Sequence, residues 1–83
     1  MECNIMIVKI GERRKKSPEV QQVLSQFGCS IKTRLGLHEA SENLCSEEGV
    51  LVLQLTGERS EMTKLEAALN ELESVKAQMV MID

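Results

Sequence analysis

The residues of this sequence that could do chemistry lie between positions 34 and 45. His38 and Cys45 carry the imidazole and thiol groups that bind zinc and other borderline metals, and Glu39 stands beside the histidine. A closed zinc site needs about four ligands, so a metal bound here would also need ligands from a second copy of the chain. Cys45 is in addition a candidate redox-sensitive thiol. A structural or interface role for His38 and Cys45 is the alternative to both.

Two further residues of interest precede the histidine. Arg34 is either a solvated charge on an exposed strand edge or a clamp for the carboxylate of a small effector. Gly36 in a strand marks a bulge or a place where a ligand or a neighbouring backbone approaches closely. We therefore predict a ligand-binding site formed by Arg34, Gly36, His38 and Glu39.

The elements that position these residues follow from changes in the apolar period. Strand-like patterns occupy residues 4–10, 29–37, 49–56 and 75–82, and helical spacing occupies residues 17–27 and 60–72. This order is βαββαβ, the α+β pattern of ferredoxin-like folds. We expect a single domain over residues 1–83, with a four-stranded antiparallel sheet in the order 4-1-3-2 and two helices on one face.

Local signals refine this prediction. Ser17 is a good N-cap and Pro18 suits the first position of a helix, so the first helix is expected to begin there. Alternation along the second strand predicts one apolar face and one polar face, with Lys32 and Arg34 on the polar, open side. Residues 39–48 show no apolar period and predict a hairpin loop longer than usual, which is where we expect a site.

The sheet face without helices is predicted to be an interface. Strands one and three are apolar on both faces, which places four aliphatic residues at the centre of the uncovered side: Ile5, Ile7, Val50 and Val52. A contiguous apolar patch of this kind on a monomer usually marks an interaction site. Self-association is the simplest way to cover it, so we expect a homodimer or a higher oligomer.

Composition argues against several functions. The net charge of −3 disfavours nucleic acid, which is bound by basic domains. The single aromatic residue, Phe27, leaves no strand aromatics on which RNA bases could stack. The chain has three cysteines, too few for an iron–sulfur cluster with four cysteine ligands. One histidine, no nucleophile motif and no glycine-rich phosphate loop argue against an enzyme.

The same features predict a location. An odd number of cysteines without close pairing is typical of a reducing compartment. No apolar stretch approaches the ~18 residues of a membrane-spanning helix, and the N-terminus lacks the basic region and the cleavage site of a signal peptide. We therefore expect a cytoplasmic protein that binds neither membrane nor nucleic acid.

The run Arg34-Leu35-Gly36-Leu37-His38-Glu39, followed by Cys45, Gly49 and a strand rich in leucine and valine, is similar to a known family. It resembles the small stand-alone domains of iron-only hydrogenase system regulators, which belong to the ACT-like group of ferredoxin-like folds. The resemblance implies a non-enzymatic domain that oligomerises through its sheet and binds a small effector, and it assigns no site residue. A more distant ACT-like relative, the C-terminal domain of nickel-responsive repressors, binds metal through His and Cys near subunit contacts, and this chain lacks that domain's multiple histidines.

Together, these observations predict an ACT-like regulatory or interaction module that acts as a homo-oligomer and senses a small ligand or a partner protein. The alternative is a metal- or thiol-sensing protein built on His38 and Cys45. A third hypothesis is an enzyme whose site forms only between chains. No resident cofactor is predicted apart from the metal of the first alternative.

Overall fold

The computed structural model describes residues 3–40 and 45–82. Its strands and helices are β1 (Cys3–Ile10), α1 (Arg13–Gln26), β2 (Ile31–Ala40), β3 (Cys45–Leu55), α2 (Arg59–Asn70) and β4 (Val75–Ile82), with a 3₁₀ turn (Gly28–Ser30) before β2. All neighbouring strands are antiparallel and form one sheet in the order β2-β3-β1-β4. The predicted ferredoxin-like α+β fold and strand order are therefore confirmed.

The two helices pack against the same face of the sheet. Alternate residues of β1 point toward them and are buried, as are Leu53 and Leu55 of β3 and most of the apolar stripes of α1 and α2. The core consists of Met6, Val8, Ile10, Val20, Leu24, Leu53, Leu55, Met62, Leu65, Leu69 and Val75. Each large side chain removed from water here contributes roughly 1.5–3 kcal/mol to folding. This layer of side chains holds both helices on the sheet and leaves the opposite sheet surface, the open face, without cover.

Helix α1 begins at Arg13, one turn before the predicted start at Ser17. The helix is initiated by Glu12, whose backbone is left-handed (φ 48°) and whose carbonyl accepts hydrogen bonds from the N–H groups of Lys15 and Lys16, both at 2.9 Å. Ser17 is therefore not the N-cap, and Pro18 lies inside the helix. Apolar spacing begins only at Val20, which explains why the charged first turn was missed.

The residues just before the first helix form hydrogen bonds with the loop before β4. Gly11 N–H donates to the carbonyl of Ser74 at 2.7 Å, and the Ser74 hydroxyl donates to the Glu12 carboxylate at 3.1 Å. A Cβ atom on Gly11 would lie 3.3 Å from the Ser74 carbonyl oxygen. Glycine is thus favoured at position 11 because the two backbones approach closely.

Strand β2 begins two residues later than predicted and contains a bulge. Ile31 pairs with Leu55 and Thr33 pairs with Gln54, so Lys32 is an extra residue in β2. Leu55 lies on the helix-covered face, whereas Gln54 pairs with Ile5 of the open face. The bulge therefore reverses the faces of all the following residues relative to uninterrupted alternation.

This reversal corrects the predicted position of Arg34. Arg34 pairs with Leu53, whose side chain is in the core, so Arg34 lies on the helix-covered face and not on the open face. Leu35 pairs with Val52 and lies on the open face instead. The polar face of β2 is consequently turned toward α1, and an apolar residue is added to the uncovered surface.

The two strands of the β2–β3 hairpin extend further toward each other along the sequence than predicted. β2 continues to Ala40 and β3 begins at Cys45, and these two residues pair. Residues 39–40 and 45–48 therefore belong to strands, and the prediction of a loop over residues 39–48 was wrong. The backbone pairs here although the sequence lacks the apolar alternation that signals a strand. Residues 41–44 lie outside the described residues.

Candidate functional site

The open face carries a continuous group of aliphatic side chains. Leu35 pairs with Val52 and Val52 with Ile7 across three strands, and Ile5 pairs with Val80 in the next row. We call this group the apolar band; it consists of Ile5, Ile7, Leu35, Val50, Val52, Val80 and Ile82. Ile7, Leu35, Val80 and Ile82 have 43%, 56%, 37% and 59% of their surface exposed.

All four residues predicted for the interface lie in this band. Ile7 is exposed, and Ile5, Val50 and Val52 are half-buried. Sequence reasoning missed Leu35 because it depends on the bulge at Lys32. Val80 and Ile82 could have been added, because their spacing of two puts both on one face of β4.

Arg34 connects β2 to the first helix. Its Nη1 donates a hydrogen bond to Oε1 of Gln21 in α1 at 2.8 Å, and both side chains are exposed. Beside this contact, the end of α1 and the start of β2 enclose a groove of about 340 Å³, which we call the α1–β2 groove. It is lined by Leu24, Ser25, Gly28, Ile31, Lys32, Thr33 and Arg34.

Gly36 follows in the same strand and lies on the same face as Arg34. It pairs with Leu51, it is exposed, and a Cβ atom placed on it would meet no atom within 4 Å. Neither crowding nor a left-handed backbone requires glycine at this position. The fold of the described chain therefore gives no internal reason for Gly36, whereas a close external contact would.

The other predicted site residues are placed only by their backbone. His38 and Glu39 continue β2 from Gly36, and Cys45 begins β3 opposite Ala40, two residues from His38 in the pairing. The side chains of His38, Glu39 and Cys45 lie outside the described part of the structure. The hairpin thus brings the two backbone segments together, and the ligand site and its metal-binding alternative stay predictions.

Among the side chains that the structure describes, no three His, Cys, Asp or Glu residues lie close enough to hold a metal ion. Within residues 3–40 and 45–82, no helix is both long and apolar enough to cross a membrane.

Side chains of α2 bond to the backbone of the β4 edge, which the sequence pattern did not predict. At the β4 edge, the Asn70 side chain of α2 donates to the carbonyl of Ala77 at 3.0 Å and accepts from its N–H at 2.8 Å. The Glu66 carboxylate accepts from the N–H of Met79 at 2.9 Å. Helix α2 therefore closes the β4 edge with side chains, which is one of the ways in which proteins block unwanted strand pairing.

Comparison with known proteins shows the fold. No model of a protein family matches the sequence, and no curated protein does. Among solved structures, an uncharacterized protein from Thermotoga maritima matches with a TM-score of 0.81 and 18% identity, over 100% of both chains. The ACT domain of GTP pyrophosphokinase from Chlorobium tepidum matches with a TM-score of 0.67 and 17% identity, over 96% of this chain and 97% of that one. The fold is ACT-like.

A nitrogen regulatory protein extends the comparison. CPII, a PII-like protein from Thiomonas intermedia K12 whose structure holds ADP, AMP and bicarbonate, matches with a TM-score of 0.62. The identity is 9%, and the match covers 100% of this chain and 94% of CPII. These similarities show an ACT-like, ferredoxin-like architecture.

Proposed function

We propose that this chain is a regulatory, ligand-sensing module that assembles through the open face of its sheet and has no catalytic activity of its own. The observation that carries this proposal is the apolar band. Contiguous apolar patches on the surface of soluble proteins usually mark interaction sites, and the members of this band lie on all four strands. A second copy stacked on this face would cover Ile7, Leu35, Val80 and Ile82, whose surfaces are exposed in the single chain.

The effector in this proposal is a small molecule with a carboxylate or phosphate group. Its proposed site is formed by Arg34, Gly36, His38 and Glu39. A guanidinium group is suited to carboxylates and phosphates because its planar fork donates two parallel hydrogen bonds. The structural similarity to an ACT domain and to a nucleotide-bound PII-like protein supports a small-molecule effector. Arg34 is already ordered by Gln21, so less side-chain entropy is lost when it binds.

Regulation then follows from linkage. An effector that binds one arrangement of the assembled chains more tightly than another shifts the population toward the first arrangement. The resemblance of residues 34–39 to iron-only hydrogenase system regulators supports the proposal that the regulated partner is a protein of such a system.

The test combines light scattering with a thermal-shift screen of amino acids and adenine nucleotides. We expect a dimer or a higher oligomer at micromolar concentration, together with at least one compound that raises the midpoint of unfolding. The Arg34→Gln variant should lose this shift, and the Lys15→Gln variant, with the same change of charge on the exposed start of α1, should retain it. A monomer that responds to none of these compounds would contradict the proposal.

A further inference from the structure

The β2 edge differs from the closed β4 edge, and strand alternation shows which of its groups are free. In an antiparallel pair, a residue turns both backbone groups either toward its partner or away from it. Ala77 turns its groups outward, to Asn70. Val8, the β1 partner of Ala77, therefore turns its backbone groups to the other side and bonds to Leu51 in β3. Leu51 in turn directs its groups toward β1 and away from Gly36, its partner in β2.

The N–H and C=O groups of Gly36 consequently point away from the sheet, and so do those of Arg34, two residues earlier. No hydrogen bond from another described residue reaches the backbone groups of Arg34 or Gly36. The absence of a side chain at position 36 leaves open space beside them. The β2 edge can therefore accept another strand at the place where the glycine has no internal role.

The α1–β2 groove lies beside this edge and gives it a chemical preference. Half-buried Ile31 supplies apolar surface in the groove, with Leu24 buried beneath it, and Lys32 and Arg34 supply two positive charges. No carboxylate among the described side chains forms a salt bridge with either cation. A groove between an edge strand and a helix is a common place for an extended peptide to add as a further strand.

The charges also select the occupant. A second copy of the chain paired through β2 would bring two Lys32 and two Arg34 side chains to one junction, and like charges across strands are destabilising. An acidic segment would instead pair with these cations while its backbone bonds to the edge. We propose that the β2 edge binds an extended acidic segment of a partner protein, which adds as a fifth strand beside β2.

This inference deepens the proposed function, because it gives the regulatory module a way to hold its partner. Only the claim that this contact regulates the partner rests on the proposed function; the binding itself does not. The open-face assembly and the strand addition use different surfaces, so light scattering and peptide binding can fail separately. The effector of the proposed function shares Arg34 and Gly36 with the β2 edge, so an effector found by the thermal-shift screen should compete with the peptide.

The experiment selects binders from a random library of short linear peptides with the whole 83-residue chain as the target. We expect the selected peptides to be rich in Asp and Glu. A selected peptide should slow amide hydrogen exchange at Arg34 and Gly36, whose N–H groups become bonded. Exchange at Ala77 and Met79, which α2 already covers, should stay the same.

Two variants test the two parts of the contact. Gly36→Pro removes the outward N–H without removing a bond of the β2–β3 ladder, since proline is tolerated at an edge whose N–H faces solvent; it should abolish binding. Reversing both cations, with Lys32→Glu and Arg34→Glu together, should weaken binding about tenfold or more, since each exposed pair contributes modestly. The control reverses an exposed lysine and an exposed arginine away from the groove, Lys15→Glu with Arg59→Glu, and should bind normally.

Three results would overturn the inference. In the first, selection yields no peptides, or peptides without acidic residues. In the second, the selected peptides bind Gly36→Pro and the groove charge reversal as tightly as they bind the natural chain. In the third, Arg34 and Gly36 become protected as the concentration of the protein alone rises, which would show that a second copy occupies the edge.

Discussion

Asn70 shows how much one side chain does at an exposed sheet edge. Its carboxamide pairs with both backbone groups of Ala77, as a neighbouring strand would. Replacing it with alanine leaves these groups to water and opens the edge. We expect Asn70→Ala to lower the free energy of unfolding by about 1–2 kcal/mol, because each hydrogen bond contributes roughly 0.5–1.5 kcal/mol.

Urea unfolding measures this loss, and light scattering measures the second consequence, which is association through the opened edge. The matched control is Glu71→Ala, an exposed position next to Asn70, which should change stability by less than about 0.5 kcal/mol. Equal stability and equal association of the two variants would show that the Asn70 contacts contribute nothing.

His38 and Cys45 allow a test of the metal-sensing alternative. If they bind metal, protein purified without a histidine tag should contain a stoichiometric amount of one transition metal by elemental analysis, and both His38→Ala and Cys45→Ala should lose it. Cys29→Ala is the control, because Cys29 lies at the other end of β2 in an exposed turn. Metal-free natural protein, or equal metal in all variants, would exclude this function.

At the level of elements, the sequence was sufficient to predict which residues face the core wherever the apolar pattern of an element is uninterrupted. The faces of β1 and β3 and the buried stripe of α2 follow from apolar spacing, because a residue there has only one way to reach the core. Strand β2 is different, since a single extra residue, Lys32, reverses the pattern after it. Nothing in the local sequence marks that bulge, so Arg34 was assigned to the wrong face and Leu35 was missed.

The start of α1 and the β2–β3 hairpin were missed for related reasons. Residues before Val20 form a helical turn without contributing to the apolar stripe, so periodicity begins too late to show it. The same holds for the hairpin end, where backbone pairing alone defines the strands. For the candidate site, residue type alone suggested Arg34 and Gly36, whose role stays a prediction. The groove beside Arg34 could not be predicted, because it depends on α1, which sequence patterns place only roughly.

The bulge itself can be tested by two substitutions in β2. The structure places Ile31 against the core and Leu35 on the open face, whereas uninterrupted alternation would place both in the core. We expect Ile31→Gln to reduce stability by about 2 kcal/mol or more, since it brings a polar group against the core. Leu35→Gln should cost less than about 1 kcal/mol.

Both changes should be made in a Val52→Glu background, so that assembly does not contribute, and measured by urea unfolding. A larger loss for Leu35→Gln than for Ile31→Gln would mean that the faces of β2 are not those of this structure.

At the scale of the whole molecule, the decisive property is that helices pack on one face of the sheet and nothing in the described chain covers the other. The helices bury the core side chains of one face, and the apolar band leaves aliphatic side chains of the opposite face exposed to water. A domain of this size also gains stability by covering surface, because small chains bury a smaller share of it on folding. The proposed assembly through the open face would satisfy both requirements.

Val52 is the best position at which to test this assembly, because it pairs with Ile7 on one side and Leu35 on the other. Val52→Glu places a carboxylate in the middle of the band, where burial against a second copy would leave it desolvated and unpaired, which costs several kcal/mol. We expect light scattering at micromolar concentration to show an oligomer for the natural chain and a monomer for Val52→Glu. Gln22→Glu, with the same change of net charge on the exposed side of α1, should remain an oligomer. Circular dichroism should show that both variants are folded, and a natural chain that is monomeric under these conditions would refute open-face assembly.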